Sequence, residues 1–358
     1  MKFLTEYRNP ELVKHYLSEI EKTATKPWNI MEICGGQTHS LVKNGLLELL
    51  PKNVRMIHGP GCPVCVTPIS LVDKAIELME KNAILCSFGD MVRVPGSKKS
   101  LLQAKADGGD LRILYSPLEA VKIAEQNPEK EVVFFAVGFE TTAPSNALSV
   151  VHAQKLGLKN FSLLVSHVLV PPAMEAILSD EFCNIDAFLG AGHVCTIMGT
   201  SEYFPLAEKY KIPIVISGFE PADLLEAIYH AVVQLEKGEH KVENCYTRLV
   251  KDEGNPAAKN VVNEIFEVGE QEWRGIGKIP ESGLVFREKY GDYDAFRKFN
   301  IKTENIVEEN RCIAGDILKG IKKPFECPEF GKSCNPGNPL GAPMVSSEGA
   351  CAAYYHYS

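Results

Sequence analysis

The sequence contains no apolar run of the ~18–20 residues that a membrane-spanning helix needs. Its first residues, Met1 to Arg8, include an acidic side chain and lack the apolar stretch of a secretory signal peptide. We therefore expect a cytoplasmic protein without a membrane partner, in a reducing compartment where structural disulfides are rare. Metal binding, redox chemistry or burial must then account for its eleven cysteines.

The sequence also lacks an excess of positive charge and the common phosphate-binding and hydrolase motifs. Lys and Arg number 38 against 46 Asp and Glu, so the net charge is −8, which disfavours a nucleic-acid partner. No G-x-x-x-x-G-K-[ST], G-x-G-x-x-G or G-x-S-x-G motif is present. Nucleotide hydrolysis, dinucleotide binding and serine-hydrolase chemistry are therefore unsupported.

The composition that remains is that of a globular protein, with 45% apolar and 23% charged residues. Seven short apolar runs each end in a Gly-containing loop that precedes a helical stretch. These predicted strands are 29–33, 54–57, 83–87, 131–137, 161–166, 185–189 and 212–217. Repeated strand–loop–helix units predict an α/β fold with parallel sheets covered by helices.

Three of these runs end in similar sequences, with Gly and Phe beside an acid at 87–90, 137–140 and 217–220. The similarity favours two related, Rossmann-like α/β lobes over a single sheet of seven strands. We predict lobe boundaries at 28–125 and 126–240.

The rest of the chain is predicted to form a third, smaller domain of helices and loops. It combines residues 1–27, which include an amphipathic helix over 9–26, with residues 241–350. The tail, 351–358, is predicted to return to the first lobe. The segment after 312 is rich in Gly and Pro and has few apolar residues. It therefore needs a cross-link, such as a bound metal, to be stable.

Four cysteines, Cys312, Cys327, Cys334 and Cys351, follow the pattern C-x14-C-x6-C-x16-C in this segment. Four thiolates on irregular loops suit a tetrahedral metal or an iron–sulfur cluster. A zinc ribbon would show paired C-x2-C knuckles, so the wide spacing fits a cubane cluster better. Four unrelated thiols remain the alternative.

A second pair, Cys62 and Cys65, forms the only C-x-x-C motif. It follows a predicted strand and precedes a helix beginning near Thr67, whose N-terminal dipole favours thiolate. This position predicts a disulfide that closes and reopens. Half of a zinc site and an ordinary loop are the alternatives.

A lone thiol, Cys34, ends the first predicted strand before Gly35 and Gly36. Ligands gather at the carboxyl ends of parallel strands, so Cys34 is either an exposed nucleophile or metal ligand, or a buried strand-end cysteine. Polar residues that end other strands are predicted to line the same cleft: Asp90, Arg93, Glu140, Thr141, Thr142 and His193. The remaining cysteines, Cys86, Cys183, Cys195 and Cys245, are expected to be buried.

These motifs, at 31–39, 59–68, 88–97 and 138–144 and in the terminal cysteine pattern, resemble the HypD family of hydrogenase maturation proteins. The resemblance implies a role in building the Fe(CN)2CO group of [NiFe]-hydrogenases. It also implies a [4Fe-4S] cluster on the four C-terminal cysteines and a redox pair at Cys62 and Cys65.

The same resemblance implies two protein partners. One is a small chaperone, HypC, whose N-terminal cysteine would share the iron with Cys34, and the other is the cyanide donor HypE. Some relatives carry histidine where this chain has Gln37, so a metal or proton role there does not pass automatically to Gln37 or to His39.

Three functions compete on the sequence. The first is a cofactor-assembly scaffold with thiol redox activity. The second is a free-standing, ferredoxin-linked thiol–disulfide oxidoreductase, which leaves the Cys34 loop without a task. The third is a zinc-stapled interaction module without chemistry.

Overall fold

The computed structural model describes residues 6–301 and 311–358. None of the helices in these two ranges is long and apolar enough to cross a membrane. The strands are β1 (Trp28–Glu32), β2 (Val54–His58), β3 (Ile84–Ser87), β4 (Leu111–Ile113), β5 (Val132–Gly138), β6 (Phe161–His167), β7 (Ala187–Ala191), β8 (Ile214–Ser217), β9 (Val242–Asn244), β10 (Phe266–Trp273) and β11 (Gly277–Phe286).

Most strands are followed by helices, as the alternating sequence pattern predicts. The helices are α1 (Pro10–Thr23), α2 (Gly35–Lys43), α3 (Leu46–Leu49), α4 (Pro63–Val66), α5 (Ile69–Glu80), α6 (Leu101–Ala106), α7 (Pro117–Gln126), α8 (Ala143–Lys155), α9 (Val170–Leu178), α10 (Gly192–Met198), α11 (Tyr203–Tyr210), α12 (Pro221–Lys237), α13 (Pro256–Ile265), α14 (Ala295–Lys298), α15 (Ala314–Leu318) and α16 (Ala350–Tyr357). Short 3-10 helices lie at Glu6–Arg8, Gly89–Arg93, Glu288–Tyr293, Pro324–Glu326 and Ala342–Met344.

The strands form two parallel sheets and one small antiparallel pair. The first sheet has five strands in the order β2-β1-β7-β8-β9, and the second has four in the order β4-β3-β5-β6. The antiparallel pair is β10 with β11. The α/β class with two parallel sheets is therefore confirmed, while the antiparallel pair was not predicted from sequence.

Strand pairing differs from the pairing that the predicted lobes imply. β1 pairs with β7, whereas β3 and β4 belong with β5 and β6. The chain leaves the five-stranded sheet after β2, builds the four-stranded sheet, and returns at β7. The predicted division at 125 falls inside α7, which packs on β5. Repeated strand ends show where each strand–loop–helix unit lies in the sequence. They do not show which strands are neighbours in a sheet, because parallel strands are joined by crossover connections.

The two ends of the described chain also pack on the five-stranded half of the molecule. α1 lies against α12, and Ile20 of α1 is fully buried in the core beneath that helix. The sequence analysis had grouped this helix with residues 241–350. The last helix, α16, packs on α2 through Tyr354 and Val42.

Candidate functional site

Two loops at the carboxyl ends of β1 and β2 bring the Cys34 and C-x-x-C motifs together. Since β1 and β2 are adjacent and parallel, their following loops leave the same edge of the sheet. The amide of Gly35 donates to the carbonyl of Gly61 at 2.9 Å. A Cβ on Gly61 would lie 2.2 Å from the Cys34 nitrogen, so only glycine permits this close approach.

The C-x-x-C pair is joined by a disulfide between Cys62 and Cys65, with Cα atoms 5.2 Å apart. Both lie at the beginning of the short helix α4, and the Cys65 amide donates to the Cys62 sulfur at 3.3 Å. The pair is enclosed, since Cys62 is 3% exposed and Cys65 is 0% exposed. The next helix, α5, begins at Ile69, close to the predicted start.

The Cys34 side chain is buried, which is one of the two alternatives that the sequence left open. Its residue is 2% exposed because Glu348 lies over Gly35 and the Phe219 ring lies beside Gly36. Burial raises the pKa of the Cys34 thiol far above its usual value, and the nearby Glu348 and Glu32 carboxylates raise it further. In this conformation Cys34 is therefore a protonated thiol.

His193 is the polar side chain that the structure brings to Cys34. Its Nδ1 atom lies 3.6 Å from the Cys34 sulfur, and its ring packs 5.1 Å from that of Phe219. Burial lowers the pKa of His193 to about 4, so the imidazole is neutral near neutral pH. The His193 ring nitrogen is near the thiol proton, but with this low pKa the imidazole can relay a proton and does not retain it near neutral pH.

Glu32 holds the Cys34 loop in place through hydrogen bonds, and the sequence analysis did not select it. Its carboxylate accepts hydrogen bonds from the Cys34 amide at 2.9 Å, His58 Nδ1 at 2.8 Å and the Thr38 hydroxyl. The other His58 nitrogen contacts the Tyr354 hydroxyl at 3.0 Å. Glu32 is completely buried. An acid in an otherwise apolar predicted strand was the signal that could have identified it.

Gln37 and His39 differ sharply in their surroundings. Gln37 is completely buried, and its amide donates to the carbonyls of Gly190 and Ser217 at 3.1 and 3.4 Å. His39 is partly exposed, and its Nδ1 donates to the carbonyl of Ser347 at 2.9 Å. Gln37 thus ties α2 to the ends of β7 and β8, while His39 holds the C-terminal segment.

Asp90 and Arg93 face that same C-terminal segment from the four-stranded sheet. Arg93 donates to the carbonyls of Pro336 and Val345 at 3.1 and 3.4 Å. Burial raises the pKa of Glu348, and the negative charge of exposed Asp90 raises it further. Both residues therefore lie near Glu348, which covers the Cys34 loop.

Glu140, Thr141 and Thr142 belong to a different neighbourhood. The Glu140 carboxylate accepts from the Val170 amide at 2.9 Å, and the Thr142 hydroxyl donates to the Phe139 carbonyl at 3.3 Å. Thr141 is half-buried just before α8. Burial raises the pKa of Glu140 to about 8. Burial raises the pKa of the Cys195 thiol, and a hydrogen bond with Tyr203 lowers it. The nearby Glu140 carboxylate raises the same pKa further.

Replacing Glu140 by Gln is expected to change how stability depends on pH. The pKa of Glu140 is about 8 in the folded state against 4.5 ordinarily, because of burial. The folded protein therefore holds a proton that the unfolded chain releases, and the free energy of unfolding falls as pH rises through this window. Glutamine keeps the acceptor for Val170 without this loss. Urea denaturation should show the variant to be more stable than wild type near pH 8, with little difference near pH 4.5. Parallel pH curves would contradict the assignment.

The four C-terminal cysteines converge on one small cavity. Cys312, Cys327, Cys334 and Cys351 all line it, with apolar side chains completing the wall. Burial raises the pKa of Cys351, and the other three thiols raise it further, which reflects their proximity. A Cβ on Gly341 would lie 2.4 Å from the Cys312 sulfur, so glycine keeps this wall open.

The spacing of these sulfurs bears on what the cavity can hold. A zinc ion with Zn–S bonds of about 2.3 Å would hold its four sulfurs roughly 3.8 Å apart. Among the described residues, no three of these thiols form a group whose ligand atoms lie within 4.8 Å of one another. A cluster of several irons holds its thiolates farther apart than a single ion does. Four thiols around one cavity are a donor set that an iron–sulfur cluster can use.

Residues 341–351, which we call the connecting segment, join all three cysteine sites. The 3-10 helix Ala342–Met344 packs on α4, which carries the C-x-x-C pair, and also lines the four-cysteine cavity. Glu348 covers Gly35 beside Cys34. The segment ends at Cys351. A stretch of about ten residues therefore contacts the Cys34 loop, the C-x-x-C helix and the four-cysteine cavity.

The remaining cysteines are only partly as expected. Cys86 and Cys195 are completely buried, whereas Cys183 and Cys245 are half-buried. None of these four cysteines forms a disulfide or lines the four-cysteine cavity.

Sequence comparison finds relatives that match this chain over its whole length. The family described as HypD, hydrogenase formation hypA family, matches residues 11–358. The chain is 48% identical to the hydrogenase maturation factor HypD of Azotobacter vinelandii, covering 100% of this chain and 97% of the relative. It is 44% identical to that of Escherichia coli K12, covering 100% and 98% respectively. The chain belongs to the HypD family of hydrogenase maturation factors.

Proposed function

We propose that this hydrogenase maturation factor is the scaffold and redox protein on which the Fe(CN)2CO group of [NiFe]-hydrogenases is assembled. The observation that carries the proposal is the connecting segment, which touches the Cys34 loop, the C-x-x-C helix and the four-cysteine cavity. One carrier thiol, one disulfide and one cluster cavity placed together are what such an assembly requires.

Cys34 is the proposed protein ligand to the iron that is being assembled. Iron carrying cyanide and CO is soft and low-spin, and thiolate is its natural ligand. When the iron binds, the Cys34 thiol loses its proton to solvent, and His193, whose Nδ1 lies 3.6 Å away, would relay that proton without keeping it. Because Cys34 is buried beneath Glu348, iron delivery requires this cover to move.

The partners in this proposal follow from the family. HypC would supply an N-terminal cysteine as a second ligand to the same iron, and HypE would donate cyanide to the complex. Asp90 and Arg93 are exposed beside the cover over Cys34 and are available to a docking chaperone. Their opposite charges would orient such a partner.

The Cys62–Cys65 disulfide is the proposed two-electron store. Two electrons and two protons reduce the disulfide to two thiols. Reoxidation of the two thiols then passes both electrons to the iron at Cys34 or to a ligand of that iron. The backbone contact between Gly35 and Gly61 keeps the pair beside that cysteine. Since both sulfurs are enclosed, they serve this internal chemistry better than an external protein substrate.

The four C-terminal cysteines would hold a [4Fe-4S] cluster, which supplies one-electron transfer when bound. Their cavity touches the connecting segment, whose 3-10 helix packs on α4. This contact gives electrons a short route through packed chain to the disulfide. A free-standing oxidoreductase is disfavoured because it leaves Cys34, whose loop contacts the loop of the disulfide, without a task.

Replacing Cys62 or Cys65 by Ala tests the redox role. We expect hydrogenase maturation to be abolished in a strain that depends on the variant, while the cluster and the iron-binding thiol remain. Reduction of wild type should free two thiols that neither variant releases. Cys183→Ala, which changes a half-buried cysteine elsewhere, is the matched control. Wild-type maturation by Cys62→Ala would remove the redox step from the proposal.

A further inference from the structure

A second group of metal-binding side chains lies on the outer edge of the five-stranded sheet. His230 belongs to α12, Glu243 to the edge strand β9, and Cys245 follows that strand directly. One ligand atom from each lies within 4.8 Å of the others, the only such trio among the residues that the structure describes. None of the three takes part in the thiol sites above.

The carboxylate of this trio is held in place by a neighbouring amide. Glu243 Oε1 lies 2.8 Å from His230 Nδ1, while Gln234 donates to the other oxygen, Oε2, at 2.9 Å. The Gln234 carbonyl in turn accepts from the Lys241 amide at 2.8 Å. Hydrogen bonds of this kind orient metal ligands in proteins. Glu243 is therefore fixed with one oxygen directed at His230.

The surroundings of the trio are negative and reachable from solvent. Burial raises the pKa of Cys245 to about 12, and the Glu243 and Glu226 carboxylates contribute to that rise. The same carboxylates favour a cation placed between them and the sulfur. The side chains of His230 and Glu243 are 35% and 38% exposed, so an ion can enter.

We propose that His230, Glu243 and Cys245 bind a zinc ion, with a fourth position open to water. Imidazole, carboxylate and thiolate are the three side-chain ligands that zinc takes, whereas magnesium and calcium require oxygen ligands. Binding displaces the proton of the Cys245 thiol to solvent. The ion would fasten the edge strand β9 to α12, on which α1 also packs.

Zinc binding is tested on the protein with its cluster loaded and its Cys62–Cys65 disulfide closed, so that those thiols do not compete. Titration with Zn2+ against a chromophoric chelator should give one bound equivalent in wild type. We expect His230→Ala and Cys245→Ser to weaken that affinity by more than about tenfold. Cys183→Ser and His152→Ala, a half-buried cysteine and an exposed histidine elsewhere, should bind as wild type does. Equal affinity in wild type and Cys245→Ser, or no zinc bound by wild type, would overturn the proposal.

Two further measurements separate ligation from a structural effect of the variants. Co2+ in place of zinc should give a thiolate charge-transfer band in wild type and in Glu243→Gln at raised metal concentration, but not in Cys245→Ser. Excess Zn2+ should raise the thermal midpoint of wild type and leave that of His230→Ala unchanged. A His230–Glu243 ion pair without metal binding would predict identical midpoints with and without Zn2+ in both proteins.

Discussion

Replacing Cys34 by Ala is expected to abolish hydrogenase maturation and to lower iron retention by the proposed complex with HypC by more than about a hundredfold. Loss of a residue that only orients a metal ligand costs about 10–100-fold in metal affinity, so loss of the ligand itself should cost more. Iron content after anaerobic co-purification, and infrared bands in the CN and CO stretching region, measure the effect directly. Undiminished iron and unchanged bands would eliminate Cys34 as the ligand.

A matched pair of variants separates ligation by Cys34 from its packing. Cys34→Ser keeps the size and hydrogen-bonding capacity of the side chain but replaces a soft sulfur by oxygen, so it should fail as Cys34→Ala does. Cys86→Ala removes another completely buried strand cysteine and should cost stability without loss of iron. His193→Gln keeps a hydrogen-bonding group near the sulfur but cannot relay a proton away from it. It should slow iron loading more than it lowers the final occupancy.

The burial of Cys34 shows where sequence reasoning reached its limit. The strand ending at Glu32 and the glycines after Cys34 predict a thiol at a sheet edge, and the structure places it there. Its cover, however, comes from Glu348, more than three hundred residues away along the chain. No local pattern reports a contact of that separation, so the sequence predicts position but not exposure.

The same limit explains the strand pairing. All seven predicted strands are present, because the apolar pattern of a strand and the residues of its turns are local features of the sequence. β4 and β9 were missed because each is three residues long and carries polar side chains. Which sheet a strand joins depends on crossovers that repeated Gly-Phe-acid ends do not encode. For that reason the ends at 87–90 and 137–140, predicted in different lobes, share one sheet, while the end at 217–220, predicted in the same lobe as 137–140, lies in the other.

Removing the Glu32 carboxylate should be the most damaging change outside the cysteines. Glu32→Ala leaves the Cys34 amide and His58 without their buried acceptor, and frees the Thr38 hydroxyl as well. Breaking one side of a buried polar or charged network typically costs about 3–5 kcal/mol. We expect a loss of that size in the free energy of unfolding, measured by urea denaturation of the cluster-loaded protein.

The chain offers a graded series to check this role of Glu32. Glu32→Gln keeps one carbonyl acceptor, so it should lose less stability than Glu32→Ala. Tyr354→Phe removes only the outer hydrogen bond to His58 and should cost about 1 kcal/mol. Glu129→Ala, at an exposed position, should be neutral. If Glu32→Ala were as stable as Glu129→Ala, the carboxylate would not be holding the Cys34 loop. The geometry of the proposed iron ligand would then have to come from Gly61 and the connecting segment alone.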